Sequence, residues 1–193
     1  MAQTASQFET ERLVIRRFTA EDWADFQKLA LDKESSEGGK YDHPFPTSEE
    51  DCRGAVEHLS TNERFWAVCL KDSHSVIGLL ALGSADDPGT LELGHVFHTG
   101  FTGGDHDTEA LGCMVDHAFA DLGAERIICR NAEEWTVQLA PLRKLGMKVE
   151  SQGDGTDFLQ RTPDGEPMEF VACTMAMTRE EWLQGRPSRP SSE

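Results

Sequence analysis

The stretch TLELGHVFHTGFTGGDHDTEALGCMVDHAFADLGAERIICRNAEEWTVQLAPLRKLGM, residues 90–147, carries the pattern that decides the fold. Apolar and polar residues alternate over 91–97, which predicts a strand. Apolar residues then recur every three to four positions from Ala110 to Leu122, which predicts an amphipathic helix. Gly123 stands where such a helix typically ends.

The second part of this stretch adds a strand and a helix. RIIC at 126–129 predicts a short buried strand, and a last helix covers about 136–145. Pro141 lacks a backbone N–H, so this helix tolerates it only in the first turn. The predicted order is strand, loop, helix, strand, helix.

The first loop, His98 to Thr108, is where we expect the function. It carries the pair Gly103-Gly104 and runs straight into the helix, and such a loop presents backbone N–H groups to a phosphate. Asp105 and Asp107 oppose that interpretation, because carboxylates repel a phosphate. Any function assigned to the loop has to account for both.

The rest of the chain supplies supporting elements. Alternating segments predict strands at 12–18, 65–70 and 76–83, and two more strands beyond Gly146 joined by a polar segment containing TPDGEP. Two capping boxes predict helix starts, Thr19 with Asp22 and Thr47 with Glu50. The long segment between those helices, residues 34–46, is rich in Gly and Pro and long enough to be functional.

Composition bounds the class of protein. A chain of 193 residues fits one domain, which we expect over residues 1–183, with a Pro- and Ser-rich disordered tail at 184–193. The net charge of −17 repels polyphosphate backbones and anionic lipid, so nucleic acid and membrane are poor partners. That acidity favours solubility, or recognition of a cationic substrate.

Compartment and cysteine chemistry follow from simple patterns. The N-terminus MAQTASQFETERL has no basic region followed by an apolar stretch, so we expect a cytoplasmic protein. The cysteines are odd in number and widely spaced inside apolar segments, which predicts buried thiols at Cys52, Cys69, Cys113, Cys129 and Cys173.

The motifs and their order resemble the GNAT superfamily of acyl-CoA-dependent N-acetyltransferases, specifically its RimJ/RimL-type branch. The resemblance rests on TERLVIRRFTAEDW, FWAVCLKDSHSVIGLLAL, LELGHVF followed by TEAL, HAFADLGAERI and LRKLGM, and the closing MEFVACTMAMTREEW. It implies an α/β (α+β) fold with a mixed, largely antiparallel, seven-stranded sheet flanked by about four helices.

The resemblance also implies where acetyl-CoA binds as co-substrate. The strand carrying LELGHVF would splay from the strand carrying RIIC, its free backbone groups would pair with the pantetheine, and the glycine loop would take the pyrophosphate. The residues assigned to acetyl-CoA on this ground are Val96, Phe97, His98, Gly103, Gly104, Asp105, His106, Asp107, Thr108 and Arg143.

The implied chemistry is direct attack of a neutral amine on the thioester, with a backbone N–H stabilising the oxyanion. Glu92 is the candidate general base, since the family often places a carboxylate on this strand, although a strand glutamate is also commonly structural. His95, at the place of a usual Tyr, is the second candidate.

The chain departs from the family pattern at two places. The family loop Arg/Gln-x-x-Gly-x-Gly/Ala matches here with Gly100, Gly103 and Asp105, so a degenerate loop brings a Cβ and a charge toward the pyrophosphate. The positions that carry Asn and Ser or Tyr in the family fall on Trp135, Gln138 and Leu142, none of which can protonate a thiolate, and a water would have to serve.

Three interpretations stay open. Asp105 and Asp107 turn outward or cap the helix in a working acetyltransferase; or the protein no longer binds acyl-CoA and acts as a small-molecule binding or interaction module. In the third, a divalent metal is held by His95, His98, Asp105, His106 and Asp107, whose spacing matches no standard site, so we expect no metal.

The acceptor is expected to be a small-molecule primary amine or a protein N-terminus, and the acidic charge favours a mildly cationic one. Tyr41 and Phe45 are candidates for the acceptor pocket, because the long segment that carries them borders the acceptor site in the family. Whether the chain forms a homodimer is left open.

Overall fold

Eight strands form one sheet in the order β1-β2-β3-β4-β5-β6-β8-β7 in the computed structural model, which describes residues 7–162 and 164–185. Neighbouring strands are antiparallel except β5 and β6, which are parallel. The strands are β1 Gln7–Glu9, β2 Leu13–Arg16, β3 Phe65–Leu70, β4 Val76–Ser84, β5 Thr90–Phe97, β6 Arg126–Ala132, β7 Lys148–Arg161 and β8 Pro167–Thr178.

The predicted class, a mixed and largely antiparallel α/β sheet, is confirmed. The predicted number of strands is one too low because β1 has only three residues, too few to show a periodic pattern. β1 is a strand because it pairs with β2, with Phe8 opposite Ile15.

Five α-helices accompany the sheet in the described residues, α1 Trp23–Ser35, α2 Glu49–Thr61, α3 His106–Ala120, α4 Thr136–Lys144 and α5 Arg179–Gly185. The short α5 exceeds the predicted number, and its Trp182 packs back on Phe119 with ring centroids 5.2 Å apart. The predicted tail, 184–193, falls outside the described residues except for its first two, which end α5. Single turns of 3-10 helix lie at Ala20–Asp22, Gly39–Tyr41 and Thr99–Phe101.

One predicted helix cap is confirmed and the other is wrong by one residue. Asp22 accepts a hydrogen bond from Thr19 N at 2.7 Å, as a capping box requires. The second helix is capped by Ser48, not Thr47: Ser48 is the extended residue, and its hydroxyl accepts from Asp51 N at 3.2 Å.

The sheet separates two apolar cores. Residues from α3 and α4 pack on one face with Leu93 and Phe97 of β5, and residues from α1 and α2 pack on the other with Val96. The five cysteines are free thiols, four buried and Cys113 half-buried, as predicted. Among the helices that the structure describes, none is long and apolar enough to cross a membrane.

Candidate active site

The centre of the molecule is a gap between β5 and β6. The two strands pair only from Thr90 to Glu92 with Arg126 to Ile128, and they separate after that. On its other side β5 stays paired with β4, where His98 N donates to Ile77 O at 2.9 Å. Because backbone groups alternate sides along a strand, His95 and Phe97 present their N–H and C=O groups to the gap, and Val96 and His98 present theirs to β4.

A reciprocal pair of hydrogen bonds crosses this gap. Gln138 Nε2 donates to His95 O at 3.1 Å, and His95 Nε2 donates to Gln138 O at 3.2 Å. His95 Nδ1 then lies 3.7 Å from the Cys129 thiol. Burial lowers the pKa of the His95 imidazole to about 4, so the ring is neutral at physiological pH.

Pro141 lies inside α4, where its missing N–H leaves the carbonyl of Val137 without its usual helical donor. The prediction that Pro141 lies in the first turn is wrong, because it is the sixth residue of α4, Thr136–Lys144. Proline has no N–H for the helix ladder and its ring pushes the preceding turn open. The next carbonyl along the helix, that of Gln138, accepts the imidazole N–H of His95.

Two hollows open from the gap. The first, called here the apolar cavity, has a volume of about 420 Å³ and lies on the α1 and α2 side. The second, called here the groove, has a volume of about 480 Å³ and runs from Phe97 past Thr99 to the start of α4. Tyr41, Trp135 and Gln138 line both.

The segment between α1 and α2 forms one wall of both hollows, and a buried lysine fixes it. Lys33 is 2% exposed, and its ammonium donates to His43 O at 2.6 Å and to Glu34 Oε1 at 2.9 Å. Glu34 Oε1 also accepts from Phe45 N at 2.8 Å. These bonds hold Phe45 and Tyr41 in place, and both predicted acceptor-pocket residues line the apolar cavity.

The same segment closes against α4 through a glycine. A Cβ on Gly38 would come within 1.8 Å of Trp135 Nε1, so the indole lies directly on the Gly38 backbone. Tyr41 also meets Phe170 of β8, with ring centroids 6.2 Å apart. The segment therefore covers the gap from α1 to β8.

The sequence was also compared with known protein families. Residues 12–148 match the family model described as an acetyltransferase (GNAT) domain.

The chain belongs to the GNAT acetyltransferase family.

Curated and solved relatives agree with this assignment. The chain is 27% identical over 142 residues to the uncharacterized N-acetyltransferase YnaD of Bacillus subtilis (strain 168), covering 73% of this chain and 82% of that protein. A GNAT acetyltransferase structure from Bacillus anthracis superposes with a TM-score of 0.74 at 23% identity, over 91% of this chain and 99% of that one. Mycobacterium smegmatis RimJ, solved with CoA-disulfide, gives a TM-score of 0.68 at 20% identity, over 88% and 83%.

The glycine loop before α3 holds its own carboxylate. Asp107 is 1% exposed and accepts hydrogen bonds from the backbone N–H of Gly103 and, at 2.6 Å, from that of Thr108. An anion at a helix N-terminus is favoured by the dipole, so Asp107 is a stable internal cap. The Gly103 amide is therefore already engaged by a side chain of the same loop.

Asp105 behaves differently. Its side chain is 76% exposed and lies 3.7 Å from Arg12, which also binds Glu109 at 2.7 Å. Asp105 therefore points outward, whereas Asp107 caps the start of α3. Each of the two predicted roles, turning outward and capping the helix, is filled by one of the two residues.

The two basic residues at the end of α4, Arg143 and Lys144, differ in their contact with the glycine loop. Lys144 Nζ donates to Gly104 O at 3.1 Å. Arg143 is exposed and makes no hydrogen bond or ion pair with the loop within residues 7–162 and 164–185. Thr99, at the start of the loop, is tied to α1 because its N and Oγ1 donate to Asp32 at 2.6 and 2.8 Å.

Among the described residues, no three His, Cys, Asp or Glu side chains come together in an arrangement that could hold an ion. The five proposed ligands each have a different neighbour. His95 binds Gln138, His98 faces Asp32, Asp105 faces Arg12, His106 packs on Phe101, and Asp107 binds loop amides.

Glu92 lies at the last paired position before the gap. Its carboxylate, with 31% of the side chain exposed, binds Arg130 at 2.7 Å, and Arg130 lines the apolar cavity. The candidate base Glu92 therefore lies beside the apolar cavity, and its ion-pair partner Arg130 is part of the cavity lining.

Sequence reasoning missed two residues of this site. Lys33 follows Ala30 by three positions on the apolar stripe of α1, and that spacing was the available signal for its burial. Gln138 was noted only as unable to act as an acid. Its Oε1 is buried and has no hydrogen-bond partner among the described residues, which no sequence pattern indicates.

Proposed function

We propose that the protein is an acyl-CoA-dependent N-acetyltransferase that transfers the acetyl group of acetyl-CoA to a primary amine by direct attack on the thioester. The observation that carries the proposal is the gap after Glu92, where the backbone edges of His95 and Phe97 are not paired with β6 and two hollows share lining residues. Family membership supports the class of reaction.

The groove is the proposed place of the co-substrate. Pantetheine would lie along Phe97, whose C=O accepts from Thr102 Oγ1 at 3.3 Å and whose N–H faces the gap. The pyrophosphate would approach Gly103, Gly104 and the start of α3, with Lys144 as the nearest cation. Acetyl-CoA supplies the activated acetyl group, and the amine enters from the apolar cavity.

The chain's own groups would assist the transfer as follows. The neutral amine nitrogen forms the C–N bond while the C–S bond breaks, and a strand N–H at His95 or Phe97 donates to the carbonyl oxygen as charge develops. The amine loses one proton, and the thiolate gains one to leave as the thiol. Water carries these protons, with Glu92 as the receiving base at the cavity edge.

His95 is assigned a positioning role in this scheme. Both ring nitrogens already have neighbours, Gln138 O and the Cys129 thiol. Burial raises the pKa of that thiol to about 12, so it stays protonated and can donate to Nδ1. A neutral ring whose pKa is lowered to about 4 is a weak base for an ammonium proton.

One experiment tests the proposed reaction. Thiol release from acetyl-CoA is followed in the presence and absence of a panel of primary amines, and the acetylated amine is identified by mass spectrometry. Release that requires an amine supports the proposal. Substituting Glu92→Gln should lower kcat/KM by about 10²-fold if Glu92 receives the proton. An unchanged pH profile in that variant would remove Glu92 from the mechanism and leave the reaction class intact.

A second function is favoured by one specific observation. Asp107 already fills the Gly103 amide, so the protein could retain the GNAT fold as a binding module without acyl-CoA chemistry. Absence of amine-dependent thiol release, together with binding of an amine in the apolar cavity, is the result expected for such a module.

A further inference from the structure

The walls of the apolar cavity are mostly hydrocarbon and aromatic. Phe45 stacks on Phe26 with ring centroids 5.8 Å apart, and Phe65 and Leu79 continue the same wall. The volume, about 420 Å³, lies in the lower part of the range for small-molecule pockets. A hydroxyl or ammonium group buried here without a partner would cost free energy. The walls therefore favour a flat apolar body over a sugar or a polyamine.

One buried polar atom of Gln138, a residue that lines both the cavity and the groove, lacks a partner among the described residues. Gln138 is 2% exposed, and its Oε1 accepts no hydrogen bond from the described residues. Its Nε2 is held by His95 O at 3.1 Å, which fixes the orientation of the amide. A buried acceptor of this kind needs an N–H or O–H donor. A primary amine supplies N–H donors and would reach Gln138 beside the strand edge of His95.

The charges at the mouth of the cavity are already paired. Asp42 Oδ2 lies 3.8 Å from Lys33 Nζ, and Glu92 Oε2 lies 2.7 Å from Arg130. A polycationic acceptor needs several carboxylates that are not neutralised by neighbours. The net charge of −17 therefore does not translate into an acidic acceptor pocket.

We propose that the acceptor is a small arylalkylamine, a single aromatic ring joined by a short chain to a primary amine. Gln138 Oε1 receives one N–H of the amine, and the ring lies against Phe45, Phe65 and Leu79. This inference rests on the proposed acetyl transfer and adds its substrate class.

The first test compares three amines on the full chain. 2-Phenylethylamine is titrated by calorimetry without acetyl-CoA, and acetylation by acetyl-CoA is then measured, with spermidine and kanamycin treated in the same way. We expect 2-phenylethylamine to bind and to be acetylated with kcat/KM at least about tenfold above the other two, since they carry polar groups that the wall cannot satisfy.

The outcomes separate the acceptor class from the reaction. Transfer to spermidine or kanamycin without preference for 2-phenylethylamine overturns the acceptor class and leaves the acetyltransferase standing. Binding of 2-phenylethylamine without any transfer leaves the ligand class standing and overturns the reaction. No binding of 2-phenylethylamine overturns the class whatever the reaction is.

Variants then locate the amine. Ala55→Phe places a ring in the cavity, and Ala120→Phe makes the same change on the exposed end of α3. Ala55→Phe should raise the KM for 2-phenylethylamine about tenfold with the acetyl-CoA Kd unchanged, and Ala120→Phe should change neither. If Ala55→Phe does not fold by circular dichroism, Phe45→Ala serves instead, with the same expected rise from loss of the stacked wall. Equal KM values in the cavity variant and the wild type contradict the assignment.

Gln138→Met tests the polar contact. It removes the Oε1 acceptor, together with the Nε2 donor to His95 O, while keeping a side chain of similar length, so the KM for 2-phenylethylamine should rise by a larger factor than the acetyl-CoA Kd. Loss of acetyl-CoA affinity with an unchanged amine KM would assign Gln138 Oε1 to the co-substrate and overturn its role here.

Discussion

At the residue scale, Asp107 is the most informative side chain of the glycine loop. It is buried, and its carboxylate accepts from the N–H groups of Gly103 and Thr108, so it acts as a cap of α3. Asp105, two positions earlier, is exposed and only near Arg12. The same residue type at nearly the same place therefore has two different energetic roles.

Asp107→Ala should lower the free energy of unfolding by about 1–2 kcal/mol, because the backbone N–H groups of Gly103 and Thr108 lose their acceptor at the start of α3. Asp105→Ala is the matched control and should stay within about 0.5 kcal/mol of the wild type, since exposed ion pairs contribute little. Urea unfolding followed by circular dichroism measures both. Equal stability of the two variants would show that the Asp107 contacts do not cap the helix.

His95 gives the protein a specific sensitivity to acid. Its pKa is about 4 in the folded state because it is buried, against an ordinary value of 6.5. Between pH 4 and pH 6.5, His95 is protonated in the unfolded chain but not in the folded one. The contribution of this residue to the free energy of unfolding is therefore fully present above pH 6.5 and is lost as the pH falls toward 4. By linkage the loss is roughly 3 kcal/mol.

Unfolding measured between pH 7 and 4 checks this expectation. His95→Gln should flatten the pH dependence relative to the wild type, and His58→Gln, an exposed position on α2, should keep the wild-type slope. A wild-type slope in His95→Gln would mean that other groups cause the acid sensitivity.

At the element scale, the segment between α1 and α2 shapes the site by closing on α4. The contact depends on Gly38, because a Cβ there would overlap the Trp135 ring. The φ of Gly38 is −80°, so alanine is tolerated by the backbone and the only obstacle is Trp135.

Gly38→Ala should therefore move Trp135 and weaken binding in the groove about tenfold, because a positioning contact is lost. Gly54→Ala, in α2 with open space around its Cβ position, is the matched control and should stabilise the protein by up to about 1 kcal/mol. Acetyl-CoA titration and thermal melting measure both changes. Unchanged acetyl-CoA affinity in Gly38→Ala would show that the contact between Gly38 and Trp135 does not shape the groove.

The helices show which part of a structure a sequence can predict. Apolar periodicity placed α3 and most strands correctly, because it reports which face is buried. Ser48 replaced Thr47 as a cap because both residue types suit that position and only the backbone turn decides between them. Pro141 lies in the middle of α4, where its missing N–H costs one hydrogen bond of the helix, and the contacts around α4 do not explain why it is there.

At the scale of the whole molecule, the fold was predictable and the site was predictable only in outline. The order of motifs indicated the family, and the gap between β5 and β6 follows from that fold. The pairs that define the site join residues far apart in sequence, such as His95 with Gln138 and Thr99 with Asp32. No periodicity or composition specifies such pairs. The net charge of −17 likewise does not describe the lining of the cavity, because its nearby carboxylates are paired locally.

The most direct measurement is a calorimetric titration of acetyl-CoA, up to low millimolar concentration, into the wild type and into Asp107→Ala. The gap and groove are proposed to bind acetyl-CoA, and the Asp107 carboxylate competes with its pyrophosphate for the Gly103 amide. Saturable binding to the wild type, tightened about tenfold in Asp107→Ala, is the predicted result. No saturable heat with either protein would contradict the assignment of the gap as an acetyl-CoA site.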